Sequence, residues 1–300
     1  MPAGNGAHTI IWADTTIRLN CQKGTDMAFN GETISFIGAG VMGEAMIKGL
    51  LYQQLVSPEN IMAADPNQSR LDDICDLYGI RCTTDNQRAA REANVLVLSV
   101  KPQVMGKVLP ELRGQVDDVS LIVSIVAGVP LQIIADSLLN GRVVRSMPNT
   151  PGQIGKGITV WTAAPDVGTE QRRQTELLLG AMGEQIFAGD ESFLDMATAL
   201  SGSGPAYVFM FMESLIDAGV HMGFSRRDAE QLVTQTLAGS VEFARQSGLH
   251  PAQLRNQVTS PGGTTAAALY EMDKGGLRTV LSKGVWAAYR RSQALGAKDG

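Results

Sequence analysis

From Thr33 to about Ala188 the chain alternates two patterns: short, nearly continuous apolar runs rich in β-branched residues, and longer runs with apolar positions at helical spacing. Residues 34–37, 61–64, 95–100, 121–126, 143–146 and 158–162 read as strands. The runs 95–100 and 121–126 lack an alternating polar face, which is expected of strands covered on both sides. Strands alternating with helices predict an α/β domain over residues 31–189, built on a doubly wound, mostly parallel sheet. From Asp190 the strand signal stops. Residues 194–222, 228–246, 251–258, 264–272 and 277–295 read as helices, so an all-α domain over 190–300 follows. Ser225 and Asp228 resemble a capping box, and Pro251 suits a first helical turn.

Residues 196–212 carry no formal charge, yet Asp195 and Glu213 close the run below the length that spans a bilayer. A helix apolar nearly all round needs cover on every side, and a helical domain of roughly 110 residues cannot supply it alone. The expectation is therefore a dimer formed through this domain. Tyr207, Phe209, Met210, Phe211 and Met212 form a stripe that can pack as core or line a ligand cavity, core being the commoner use.

The first predicted strand runs into Gly38, Ala39, Gly40, Val41, Met42 and Gly43, and residues 44–52 then read as a helix. Strand, GxGxxG turn and helix in this order are the context of the Rossmann dinucleotide fingerprint: one glycine for the turn, one for pyrophosphate approach, one for helix packing. Tight strand-to-helix packing without a ligand is the alternative. Asp65 follows the second strand, where an acidic residue bonds a ribose 2′-hydroxyl and points to NADH. Ser69 and Arg70 lie just beyond, and Arg70 could instead pair with a 2′-phosphate. Lys101, before Pro102 at the end of a predicted strand, is either a cofactor contact or a solvated surface residue.

In the second half, Ser260, Pro261, Gly262, Gly263, Thr264 and Thr265 open onto a helix-forming run. A helix start leaves backbone N–H groups without internal partners, and with the helix dipole these suit a carboxylate. A plain Ser or Thr cap is the alternative.

A charged fraction of 18 % and a net charge of −5 give no electrostatic reason to expect nucleic acid or an anionic membrane as partner. Cys21, Cys75 and Cys82 lack metal-ligand spacing and His8, His221 and His250 are scattered, so no metal is expected and the thiols read as reduced. Residues 1–30 contain no signal-length apolar core and read as a disordered extension of a cytoplasmic protein, with Met27 a candidate start of a shorter chain.

Four blocks carry a family likeness: Val100-Lys101-Pro102, the run 145–151 (RSMPNTP), the run 200–207 (LSGSGPAY) and the run 260–265 (SPGGTT). On these, and over about residues 34–295, the chain resembles pyrroline-5-carboxylate reductase. The resemblance implies a Rossmann domain, a helical dimerisation domain and an active site using helices of both subunits. It implies reduction of the cyclic imine 1-pyrroline-5-carboxylate to proline by NADPH, with NADH also used, in a homodimer open to assembly as a ring of dimers. Carried over, the cofactor would lie on Gly38 to Gly43, Asn86, Ser99, Val100, Lys101, Pro102, Ala127, Gly128 and Asn149. Ser260, Gly262, Gly263, Thr264 and Thr265 would hold the substrate carboxylate, with the Thr265 hydroxyl near the ring nitrogen as the catalytic group.

Hydride addition to C=N needs neither nucleophile nor metal, which suits a chain without a compelling histidine. Val41 stands where the family commonly has asparagine, and Gly248 where some relatives have a carboxylate. Two other readings share the plan. A 3-hydroxyacid dehydrogenase would need a lysine soon after its glycine-rich helix motif, whereas Lys274 is the first lysine after Gly202-Ser203-Gly204. A non-catalytic NADP-binding regulatory protein would not need the glycine-threonine helix start.

Overall fold

A computed structural model describes residues 9–12, 15–18, 28–29 and 31–296. In the leading segment β1 (Thr9–Trp12) and β2 (Thr15–Arg18) pair antiparallel, Thr9 opposite Arg18. Thr9–Trp12 and Thr15–Arg18 are mostly β-branched, and such residues favour extended backbone; the rest of the extension expected to be disordered over 1–30 lies largely outside the described residues. Phe29 is buried in the main core, with its N–H donated to the Leu55 carbonyl at 3.1 Å. Met27 and Cys21 lie outside the described residues.

The main sheet holds β3 (Ile34–Ile37), β4 (Ile61–Ala64), β5 (Arg81–Thr83), β6 (Val95–Leu98), β7 (Leu121–Ser124), β8 (Val143–Met147), β9 (Gly157–Ala163) and β10 (Gly183–Phe187). Their order is β10-β9-β8-β7-β6-β3-β4-β5, and every pair is parallel except β8 with β9. Ile34 lies opposite both Ile61 and Val95. All six expected strands are present. The two unexpected ones, β5 and β10, are the sheet's edges: β5 has three residues, and β10 carries Glu184 and Gln185. An edge strand needs no continuous apolar run, so its pattern is weak.

Helices α1 (Val41–Tyr52), α2 (Gln68–Tyr78), α3 (Asn86–Arg91), α4 (Met105–Leu112), α5 (Leu131–Leu138) and α6 (Thr169–Gly180) connect these strands. One face of the sheet packs Phe36, Met46, Leu50 and Leu178, and the other packs Ile37, Leu96, Leu112 and Ile134. Two covered faces explain why β3, β4, β6 and β7 are buried along their whole length.

Cys75 on α2 and Cys82 on β5 form a disulfide, with Cα atoms 6.4 Å apart, which corrects the expectation of reduced thiols. Gly79, left-handed at φ +67°, turns the chain out of α2 and lets the two cysteines meet. The bridge closes a loop of only seven residues' separation, so its expected contribution is about 2 kcal/mol. Thermal melts with and without reductant check this: a fall of a few degrees is expected, and an unchanged midpoint would mean that the bridge adds nothing.

The helical part comprises α7 (Phe193–Ala197), a π-helical turn (Thr198–Gly202), α8 (Gly204–His221), α9 (Arg226–Ser247), α10 (Pro251–Gln257), α11 (Thr264–Lys274) and α12 (Leu277–Gly296). The single helix expected over 194–222 is thus interrupted, because Gly202 and Gly204 weaken helical continuity and Pro205 restarts it in a first turn. Two compact units result: Met1–Gly202 with Tyr289–Gly300, and Ser203–Ala288. In the first, Ser292 of α12 donates its hydroxyl to Asp195 of α7 at 2.6 Å. In the second, α8 packs on α9 where Gly219 meets Ala229, and these are its only buried residues among those described. Val208, Phe209, Met210 and Phe211 are 52, 61, 71 and 40 % exposed, so this unit has apolar surface and no core of its own. No described helix is long and apolar enough to cross a membrane.

Candidate active site

The loops that follow β3, β4, β6 and β7 all leave the carboxyl edge of the sheet, and the strand order reverses around β3, between β6 and β4. Such a switch point opens a crevice for a ligand. The glycine loop lies there, and its three glycines differ in a telling way. At Gly38, φ is +99° and a methyl group would stand 2.8 Å from the Ser99 carbonyl oxygen. At Gly43 a methyl would stand 2.7 Å from the Gly38 carbonyl oxygen and 3.0 Å from Ser99 Oγ. At Gly40 nothing lies within 4 Å. The first and third glycines are therefore packing requirements, and the second leaves an open cradle. Gly40 is also the N-cap of α1 and makes no side-chain cap, so the first N–H groups of that helix have no side chain closing them off. This fits a pyrophosphate at a helix start.

The other expected cofactor residues fall into distinct roles. Ser99 donates its hydroxyl toward the Gly38 carbonyl at 2.7 Å and braces the glycine loop from β6. Ala39 is buried, Met42 partly so, and Val41 exposed. Val100 is partly buried, while Lys101 and Pro102 are exposed at the start of a 3-10 turn. Ala127 and Gly128 follow β7. Gly128 is left-handed at φ +79°, and the side chain of Leu295 comes within 3.7 Å of where a methyl would stand. Beyond this loop Glu191 accepts the Leu131 N–H at 2.9 Å and pairs with the buried Arg145 at 2.6 Å. Asn86 donates to Glu111 at 3.1 Å, and Asn149 accepts the Ile158 N–H at 3.0 Å. These two side chains are thus already engaged by the protein.

At the end of β4, Asp65 accepts the Ala39 N–H at 2.9 Å and the Asn67 N–H at 3.0 Å. Ser69 is exposed in the first turn of α2. Arg70 is engaged: its Nε donates to the Ala39 carbonyl at 2.9 Å, and its Nη2 pairs with Glu44. Tyr78 donates its hydroxyl to the other Glu44 oxygen at 2.8 Å. Burial, and next that bond to Glu44, push the Tyr78 phenol above its ordinary pKa. Sequence reasoning missed Glu44 and Tyr78, since only their three-dimensional meeting at Arg70 marks them.

In the second unit Gly262 turns the chain at φ +69° and Gly263 is the N-cap of α11 without any side-chain cap. This excludes the plain Ser or Thr cap. Ser260 packs tightly over Gly263, where a methyl would stand 2.3 Å from its Oγ, and accepts the Gly263 N–H on its backbone oxygen at 3.1 Å. The first N–H to bond within the helix register is that of Ala267, donated to Gly263 at 3.2 Å, so those of Thr264, Thr265 and Ala266 start the helix without such a partner. Thr264 is exposed and Thr265 partly buried. His221 ends α8, and His250 caps α10 through Nδ1, which accepts the Ala252 N–H at 3.2 Å. Among the described residues no cluster could hold a metal.

Residues 191–295 match the family described as pyrroline-5-carboxylate reductase dimerisation, and residues 33–128 match the one described as NADP oxidoreductase coenzyme F420-dependent. The chain is 40 % identical over 265 residues to a pyrroline-5-carboxylate reductase of Synechocystis, covering 88 % of this chain and 98 % of that one. The pyrroline-5-carboxylate reductase structure from Coxiella burnetii superposes with a TM-score of 0.81 at 34 % identity, over 88 % of this chain and 98 % of that one. The Plasmodium falciparum pyrroline carboxylate reductase with NADP bound gives 0.80 at 31 %, over 89 % and 98 %. With both halves matched and the relatives covered nearly end to end, this chain belongs to the pyrroline-5-carboxylate reductase family.

Proposed function

We propose that this chain reduces 1-pyrroline-5-carboxylate to L-proline, the last step of proline synthesis, with NADPH or NADH as hydride donor. The observation that carries this reading is the start of α11, a backbone N–H cluster closed by no side chain, in a chain whose relatives bear that substrate's name. When bound, the reduced nicotinamide supplies the hydride. The glycine loop holds the pyrophosphate at the open Gly40, against a wall that Ser99 keeps in place. The amides of Thr264 and Thr265 and the helix dipole fix the substrate carboxylate, and Ser260 and Gly262 shape the turn that presents them. The Thr265 hydroxyl hydrogen-bonds the imine nitrogen and gives it a proton, regained from water, as the hydride reaches the carbon. Protonation at nitrogen makes that carbon electrophilic, so positioning carries most of the rate.

The test follows reduced-nicotinamide absorbance when the protein meets racemic 1-pyrroline-5-carboxylate, with NADPH and NADH in parallel. Rapid loss is expected with at least one cofactor. Absence of turnover despite cofactor binding would sink the reading.

The protein works in the cytoplasm, where reduced nicotinamide is available, as a homodimer or a ring of dimers. The exposed Phe209 and Met210 support pairing through α8. A charge buried there would be unpaired and costly, so Phe209→Asp is expected to give monomers in sedimentation and to abolish turnover. A variant that stays dimeric at micromolar concentration would remove α8 from the interface.

A further inference from the structure

Four polar side chains, from α1, α2 and the residue after β4, meet at the corner where Asp65 follows that strand. Glu44 lies in the first turn of α1, directly after the third glycine of the loop. Both of its oxygens are taken: Tyr78 donates to one at 2.8 Å, and Arg70 pairs with the other. Arg70 also donates to the Ala39 carbonyl at 2.9 Å, while Asp65 accepts the N–H of the same residue at 2.9 Å. Ala39 is thus held on both sides by groups of opposite charge. Two carboxylates against one guanidinium leave the corner with an excess negative charge. The residue after the second strand of such a fold meets the adenosine ribose, where NADH has a 2′-hydroxyl and NADPH a phosphate carrying close to two negative charges. A 2′-phosphate arriving there meets that excess charge. It also meets an arginine whose charge is already paired.

We propose that Glu44 is a specificity-determining residue for the cofactor, a positioning residue that acts through Arg70. It holds the guanidinium against the glycine loop and so limits how well the site accepts a 2′-phosphate relative to a 2′-hydroxyl. This rests on the dinucleotide reading above and adds to it a residue that no sequence motif singles out. Glu44→Gln keeps a hydrogen-bonding partner for Tyr78 but removes the charge that binds Arg70, freeing the guanidinium for a bidentate phosphate contact.

The test is calorimetric titration of the full chain with NADPH and with NADH, without substrate, for wild type, Glu44→Gln, Arg70→Ala and the double variant. Glu44→Gln is expected to raise the ratio of NADPH to NADH affinity about tenfold, the scale of one new charge-assisted contact. Arg70→Ala in the same chain is expected to abolish that gain. In Arg70→Ala alone the ratio is expected to move far less, because the guanidinium is already engaged. An unmoved ratio in Glu44→Gln, or equal weakening of both cofactors, would overturn the proposal and leave Glu44 as a brace of the loop. A large NADPH-selective loss in Arg70→Ala alone would also overturn it. If wild type binds neither dinucleotide, the function reading falls with it; if both bind and the ratio stays fixed, only this proposal falls.

Discussion

Thr265→Ala is expected to lower kcat by about a hundredfold or more while leaving the melting temperature nearly unchanged. The loss follows from its proposed role: a positioned proton donor contributes on the order of a hundredfold or more. The unchanged stability follows from the structure. Gly263, not a threonine, caps α11, so removing the hydroxyl removes no cap. Alanine is also the better helix former, which offsets lost packing of a partly buried side chain. The backbone N–H of residue 265 survives the substitution, so carboxylate binding, and with it KM, should shift less than kcat. Thr265→Ser keeps the hydroxyl and should recover most of the rate. Steady-state kinetics on the three proteins, with melts alongside, decide the matter, and a folded Thr265→Ala with wild-type turnover would remove the hydroxyl from the mechanism.

What the sequence made legible follows from what each feature depends on. Strands buried on both faces carry their signal locally, so β3, β4, β6 and β7 can be read from composition alone. The edge strands β5 and β10 depend on a neighbour for their pairing and show no such run. The glycine loop was legible because three glycines within six residues, between a strand and a helix, make a local pattern, although Gly38 and Gly43 pack against Ser99 far along the chain. The start of α11 was legible for the same reason. Arg70 was legible as a candidate phosphate ligand, but Glu44 and Tyr78, each far from it or from one another in sequence, are united only by the fold. The Cys75 to Cys82 bridge was missed because metal spacing and an odd cysteine count do not encode whether two thiols face each other. The apolar run at 196–212 pointed correctly to a surface needing cover, though the break at Gly202 lay hidden within it.

The glycine loop offers a sharp contrast between fold and function. Gly38→Ala is expected to destabilise the protein by about 3 kcal/mol or more, because φ is +99° and the new methyl would sit 2.8 Å from both the Ser99 carbonyl oxygen and a Val100 methyl. Neither neighbour can yield easily: one is the backbone just after β6, tied to β3 where the Ser99 N–H is donated to the Ile37 carbonyl at 2.9 Å, and the other is a β-branched side chain stiff at χ1. Gly40→Ala should behave in the opposite manner. Its φ of −70° and ψ of −177° are open to any residue, and nothing lies within 4 Å of the added methyl. The melting temperature should therefore hold. The methyl would, however, occupy the space through which a pyrophosphate reaches the first N–H groups of α1, and loss of those contacts should weaken dinucleotide binding by roughly ten- to a hundredfold. Melts and cofactor titrations on the two variants separate the effects. Unweakened binding in Gly40→Ala would mean that the pyrophosphate does not approach α1 at this glycine, whereas a destabilised Gly40→Ala would mean that the cradle is closed in solution.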